Sequence, residues 1–148
     1  ENPSFTTDVI VGFPGESDME FEETVAFVQR IGFSKIHVFK YSKRAGTVAA
    51  RMENQLPEEV KHERSNVLTD ISNKLSQDYM ALFLGRIEKI LVEEEVNIEG
   101  GLYRLGHNER YLKLAIAAEE GLGRINEIID VRVKRVLTDD ILLCEKII

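Results

Sequence analysis

The sequence predicts an α/β segment, a long connecting helix and then a small antiparallel β-barrel. Three observations carry this. Residues 8–41 read strand, helix, strand; residues 57–84 carry apolar residues at helical spacing; and residues 85–148 break into short alternating runs. The corresponding divisions are 1–56, 57–84 and 85–148.

Asp8-Val9-Ile10-Val11 is a short, β-branched run that reads as a buried strand. Pro14-Gly15 turns the chain, because proline fixes φ and glycine accepts positive φ. Ser17 and Glu20 have the spacing of a capping box, and Phe21, Val25 and Val28 follow at helical intervals until Gly32. Lys35 to Tyr41 alternates as a second strand, with Ile36 and Val38 on one side and His37 and Phe39 on the other. A βαβ unit this short implies a parallel pair with a right-handed crossover. Residues 42–52, "SKRAGTVAARM", form a loop at the end of the second strand, on the same side as the loop at 12–17. Parallel α/β folds place their function on that side.

Pro57 suits the first position of the long helix, with Glu58 and Glu59 in its first turn. Its expected apolar face is Val60, Val67, Ile71, Leu75, Tyr79 and Phe83, widened by Leu68 and Leu82, and Gly85 ends it. Residues 86–93 then alternate, with Glu93-Glu94-Glu95 as a solvated strand end. Residues 101–117 read as a hairpin turning near His107-Asn108, residues 123–137 alternate again, and residues 139–148 hold a last strand. Such spacing suits a small closed barrel.

With 148 residues, 43% hydrophobic and 30% charged, the composition is that of a globular protein. One cysteine, Cys144, excludes an internal disulfide framework or a multi-cysteine metal site within the chain, and a reducing, cytoplasmic setting fits. No run reaches membrane-spanning length and the N-terminus has no signal pattern. The net charge of −7 argues against indiscriminate nucleic-acid binding, and it divides as −4 before residue 85 and −3 from there on. Yet no Asp or Glu occurs from Thr24 to Met52, a stretch holding Arg30, Lys35, Lys40, Lys43, Arg44 and Arg51. That is either a solvated face or a phosphate-facing surface.

The chemistry-bearing residues are sparse. The glycine turn at 12–15 has neither Walker nor dinucleotide spacing, so it is a structural strand–turn–helix or a nucleotide-like ligand site at a helix N-terminus. His37, His62 and His107 are scattered at non-metal spacing, and Cys144 reads as a small buried hydrophobe. No nucleophile–base pair stands out. In the barrel region Tyr103, Arg104, Arg110, Tyr111 and Lys113 surround one hairpin, while Arg132, Lys134 and Arg135 lie on a later strand. Aromatics that stack on bases beside Arg and Lys are one way such barrels bind RNA; outward charges on an ordinary barrel are the other reading.

"TDVIVGFPGE" with its capped helix, and "HVFKYSKRAGTVAARM" after it, resemble the methylthiotransferase family of radical S-adenosylmethionine (SAM) enzymes, which modify tRNA or a ribosomal protein. The resemblance covers essentially the whole chain, is strongest at residues 7–16 and 36–52, and extends to a TRAM-like C-terminal barrel. It implies that the βαβ unit is the last part of a partial (β/α)6 barrel, with Ile10 against the adenine of SAM and Gly12 and Glu16 shaping the pocket. Ser42, Lys43, Arg44, Gly46 and Thr47 match the family pattern "YSxRxGT". The basic pair Lys43-Arg44 resembles the branch acting on N6-threonylcarbamoyladenosine in tRNA, although Lys40 stands where proline is expected. The implied partner is a tRNA anticodon stem-loop, met by Lys43, Arg44, Arg51, Arg104, Arg110, Tyr111 and Lys113.

The family's radical chemistry uses SAM and two 4Fe–4S clusters held by a Cys-x-x-x-Cys-x-x-Cys motif and further cysteines, and none of these is in the sequence. The chain is therefore expected to be the C-terminal portion of such an enzyme, inactive alone, that supplies part of the SAM pocket and tRNA binding. Its parent would add a methylthio group at C2 of the modified adenosine beside the anticodon. The open edge of residues 8–11 is expected to drive a homodimer or domain swap through residues 5–41. Three readings compete: a methylthiotransferase acting on another tRNA adenosine or a ribosomal protein, a stand-alone RNA-binding adaptor, and an assembly module without a ligand.

Overall fold

The computed structural model describes residues 2–118 and 123–147. They form two compact units, one from Phe5 to Ser76 and the other from Gln77 onward together with the residues up to Ser4.

In the first unit, β1 (Thr6–Val11) lies parallel to β2 (Lys35–Lys40), with Thr6 opposite Lys35 and Val11 opposite Lys40. The crossover is α1 (Asp18–Ile31). It begins where expected: the Ser17 hydroxyl accepts from the Glu20 N–H at 3.2 Å, and the Glu20 carboxylate accepts from the Ser17 N–H at 2.8 Å. It ends at Gly32, whose left-handed φ of 70° lets its N–H reach the Val28 carbonyl.

The helix α2 (Glu58–Ala81) starts one residue after Pro57, which therefore precedes its first turn. Val11, Val28, Ile36 and Leu68 form the fully buried core of this unit, with Val9, Phe21, Val25, Val38, Ile71 and Leu75 packed around it. The residues 8–11 are not a strand buried on both faces. Asp8 is exposed and Ile10 is 56% exposed, because the two-stranded sheet has its buried side against the helices and the other side open.

The inward stripe of α2 also differs from the apolar face expected. Val67 and Leu82 are exposed, while Lys61, Arg64, Leu68 and Ser72 are buried. Ser72 occupies a core position because its hydroxyl donates to the Ile36 carbonyl and accepts from the Ile36 N–H, at 3.1 and 3.0 Å. One serine thus satisfies both main-chain groups of Ile36 in β2.

In the second unit, β3 (Ile87–Ile98), β4 (Gly101–His107), β5 (Lys113–Ala117), β6 (Ile128–Thr138) and β7 (Ile141–Lys146) close a barrel in the order β3-β4-β5-β7-β6. The topology is compatible with an OB-like module. It is not wholly antiparallel, since β5 and β7 run parallel. Two strands also depart from their expected bounds. β3 continues through Glu93-Glu94-Glu95, past a bulge between Val92 and Glu94, and β6 begins only at Ile128. The hairpin turns at 108–112, as the sequence indicates. Gly106 is fixed by close approach: a Cβ there would lie 1.7 Å from the Leu91 carbonyl oxygen.

Tyr79, Met80 and Phe83 pack into the barrel core beside Ile90, Val92, Leu114, Ile116, Val131 and Leu142. Cys144 is buried in the same core, and burial, with the nearby Glu88 charge second, pushes its thiol up to about 12. The expected strand over 139–148 is β7, and its last residue lies outside the described ones.

Candidate functional site

The loop after β1 is held by a part-buried network centred on the buried Arg64. The Gly12 N–H donates to the Glu16 carboxylate at 3.1 Å. Arg64 from α2 donates to the same carboxylate oxygen and to the Glu16 carbonyl, and through its other nitrogen to Asp18 at 2.6 Å. Burial opposes the Arg64 charge, but the hydrogen bonds it donates to Asp18 and Glu16, with the charges of those two acids, outweigh it and hold the guanidinium above its ordinary pKa. Gly12 has φ +72°, and a Cβ on it would lie 2.4 Å from Lys61 Cγ. Glycine is required there by conformation and by space.

The following loop is built with equal economy. The Tyr41 N–H donates to the Val11 carbonyl, extending the strand pair by one bond, and the Gly15 N–H donates to the Asn54 carbonyl. Gly46 takes the positive φ, 86°, of the turn. The Thr47 hydroxyl donates to the Arg44 carbonyl and accepts from the Ala50 N–H, which starts a short 3-10 turn at Ala49–Arg51. Gln55 donates to the Ala49 and Met52 carbonyls. The "GT" of the motif is thereby explained as the fold of the loop, which leaves Lys43, Arg44 and Arg51 exposed.

Beside this loop is an open cleft of about 420 Å³ lined by residues 40–43, Gln55, Glu58 and Lys61. Lys61 Nζ is 2.7 Å from Glu58 and 5.5 Å from the centre of the Tyr41 ring. Its hydrogen bond, and then its charge, hold the Glu58 carboxyl below the usual range. Phe13 packs edge-on against Tyr41 with centroids 5.4 Å apart.

Of the expected cofactor residues, Gly12 and Glu16 share one loop, and Ile10 sits on the open face of β1 opposite Phe39 of β2. The expected RNA residues divide. Lys43, Arg44 and Arg51 share the basic loop. In the barrel, Arg104 donates to the Gly123 carbonyl and lies 3.7 Å from Glu95. Arg110 pairs with Glu88 and Glu109 and lies over the Phe83 ring. Both guanidiniums are largely covered because they neutralise acids of the barrel. Lys113 is more open and pairs with Asp140 at 2.7 Å. Tyr111 is 81% exposed and stacks on His107 at 4.4 Å. Its positive φ of 62° is supported by Asn108, a buried side chain whose oxygen accepts from the Arg110 and Leu112 N–H groups.

The sequence reading missed Lys61, Arg64 and Tyr41 as site residues. The available signal was that Lys61 and Arg64 fall at helical spacing from Leu68, so that two cations occupy the inward stripe of α2. Among the described residues no three His, Cys, Asp or Glu side chains converge as a metal site would need. No helix among them is long and apolar enough to cross a membrane.

A parallel βαβ unit with a strand-end glycine loop and a basic loop, followed by a closed barrel, defines an α/β-plus-barrel chain. The homologues are tRNA methylthiotransferases. The chain is 38% identical over 141 residues to the threonylcarbamoyladenosine tRNA methylthiotransferase MtaB of Thermotoga maritima, covering 95% of this chain and 31% of the relative. It is 40% identical over 130 residues to MtaB of Bacillus subtilis, covering 86% and 28%. It is 46% identical over 90 residues to the tRNA-2-methylthio-N(6)-dimethylallyladenosine synthase of Acetivibrio thermocellus, covering 61% and 19%. The chain thus spans less than a third of the length of these relatives. No family model matches it.

Proposed function

We propose that this chain is the C-terminal part of a cytoplasmic tRNA methylthiotransferase, closest to the type that modifies N6-threonylcarbamoyladenosine, and that it contributes a wall of the SAM site and a tRNA-binding surface. One observation carries the RNA reading: Lys43, Arg44 and Arg51 stand exposed on a loop that its own Gly46, Thr47 and Gln55 hold in shape, in a chain of net charge −7. The much longer matches to the MtaB relatives than to the dimethylallyl type support the choice of substrate.

Bound here, SAM would supply the radical chemistry that the family resemblance implies. Ile10 offers an exposed apolar surface for its adenine, and Gly12 and Glu16 fix the loop beneath it, with Glu16 acting through Arg64 and the Gly12 N–H. The cluster ligands do not fit here. Cys144 is one buried thiol with its pKa raised to about 12, so no step through either 4Fe–4S cluster is assigned to these residues, and the chain alone is proposed to be inactive. In the barrel, Tyr111 is the proposed base-stacking residue and Lys113 the proposed phosphate ligand, while Arg104 and Arg110 shape the surface from within.

The test is binding of an anticodon stem-loop over a range of salt. Replacing Lys43 and Arg44 with Glu is expected to weaken binding and to lower the log–log salt slope by about 2, or about 1 for each phosphate no longer neutralised. Unchanged affinity and slope would remove the loop from the interface.

A further inference from the structure

The acid-poor stretch does more than present exposed cations, because part of it forms a cleft of defined chemistry. Lys40 and Lys43 stand at its rim, and Lys61 lies in its wall, only 5% exposed as a whole residue. The Tyr41 hydroxyl oxygen is buried and has no hydrogen-bond partner among the described residues. Buried hydroxyls in folded proteins are nearly always satisfied, so an orphan on a residue that lines the cleft together with Lys40, Lys43 and Lys61 marks a place where an acceptor belongs. The acceptor that three ammonium groups favour is an anion.

The protein already places one anion there. The Glu58 carboxylate sits 2.7 Å from Lys61 Nζ, although its own side chain is 70% exposed. A carboxylate anchored by one ion pair and otherwise in solvent is free to swing away by side-chain rotation. Gln55 is different, since its amide nitrogen is committed to the Ala49 and Met52 carbonyls and holds the rim in place.

We propose that this cleft binds a phosphate group of an RNA strand, with Lys40, Lys43, Lys61 and the Tyr41 hydroxyl as its recognition groups and the Glu58 carboxylate as an internal competitor that the phosphate displaces. The proposal rests on the tRNA reading above and deepens it. The exposed Arg44 and Arg51 steer the strand electrostatically, whereas the cleft seats one phosphate. A backbone phosphodiester suits the site because its two charged non-bridging oxygens diverge from a tetrahedral centre and can serve donors on different sides of the cleft.

The two levels separate experimentally. The 148-residue chain is titrated with inorganic phosphate, and in parallel with an anticodon stem-loop, while amide shifts are followed by NMR. Saturable shifts at residues 40–43 and 58–61 are expected with both probes. Tyr41→Phe is expected to weaken phosphate binding severalfold with a melting temperature that does not fall, because it removes only a buried, unpaired hydroxyl. Glu58→Gln is expected to tighten it severalfold, a gain that a purely structural role for Glu58 would not produce. Phosphate that leaves these amides unmoved, or binds both variants like the parent chain, overturns the cleft. If RNA binding then persists with its dependence on Lys43 and Arg44, only the cleft is disproved. Phosphate that binds the cleft while RNA does not bind overturns the assignment to RNA together with the tRNA reading.

Discussion

The side chain of Lys61 lies directly over Gly12, so close that a Cβ on Gly12 would come within 2.4 Å of Lys61 Cγ. The residue that follows β1 and the residue that opens the inward stripe of α2 therefore fit only while position 12 has no side chain. Gly12 also holds φ +72°, which an L-residue adopts under strain. Gly12→Ala is expected to destabilise the chain by about 1–3 kcal/mol, from strain and overpacking together. Urea unfolding would show this as a lower midpoint with an unchanged slope. Gly15→Ala should cost less, because only its φ of +87° is special and nothing lies within 4 Å of its missing Cβ.

Arg64 and Glu16 are both largely buried, with side-chain exposures of 6% and 15%. Arg64→Met removes the charge that neutralises Glu16 and is expected to cost about 3–5 kcal/mol. Adding Glu16→Gln should recover part of that cost, since no buried carboxylate then lacks its partner. Full additivity of the two single changes would show that the pair is not coupled.

Cys144 should be inert in the folded chain. Burial raises its thiol to about 12, so the native state keeps the proton that an unfolded thiol would release. Its contribution to stability is fully present below the unfolded thiol pKa and disappears as pH rises through about 12. Ellman's reagent at pH 8 is expected to react with Cys144 only after denaturant is added. Fast labelling under native conditions would contradict its burial.

β1 is one strand of a two-stranded sheet, and Ile10 and Phe39 are both more than half exposed on the side away from the core. Ser72 satisfies Ile36 in β2, but among the described residues β1 has no second neighbouring strand. Self-association through β1 is therefore expected as concentration rises. Light scattering should report a dimer that Ile10→Lys weakens. A monomer at every concentration would show that this edge does not pair.

Much of the local structure was legible in the sequence because its causes are local. Ser17 and Glu20 announce a helix start through a hydrogen bond spanning three residues, and Gly32 ends the same helix. The hairpin at His107-Asn108 and the parallel pairing of β1 with β2 follow equally from turn chemistry and crossover handedness. The "YSxRxGT" pattern was legible as a motif, but its meaning came from Thr47 and Gly46 acting on their own loop.

What only the tertiary structure decided is which charges are spent and which remain. Lys61, Arg64, Arg104 and Arg110 look in sequence like Lys43 and Arg44, yet each of the first four meets an acid or a carbonyl brought to it by folding. The parallel pairing of β5 with β7 and the exposure of Ile10 have the same origin. Periodicity reports one element's own faces, whereas the partner of a charge or a strand edge is set by chain segments distant in sequence. The sequence alone therefore determined the elements and the family resemblance. The assembled chain decided that Lys43 and Arg44 stay exposed, whereas Lys61, Arg64, Arg104 and Arg110 are held by acids and carbonyls within the fold.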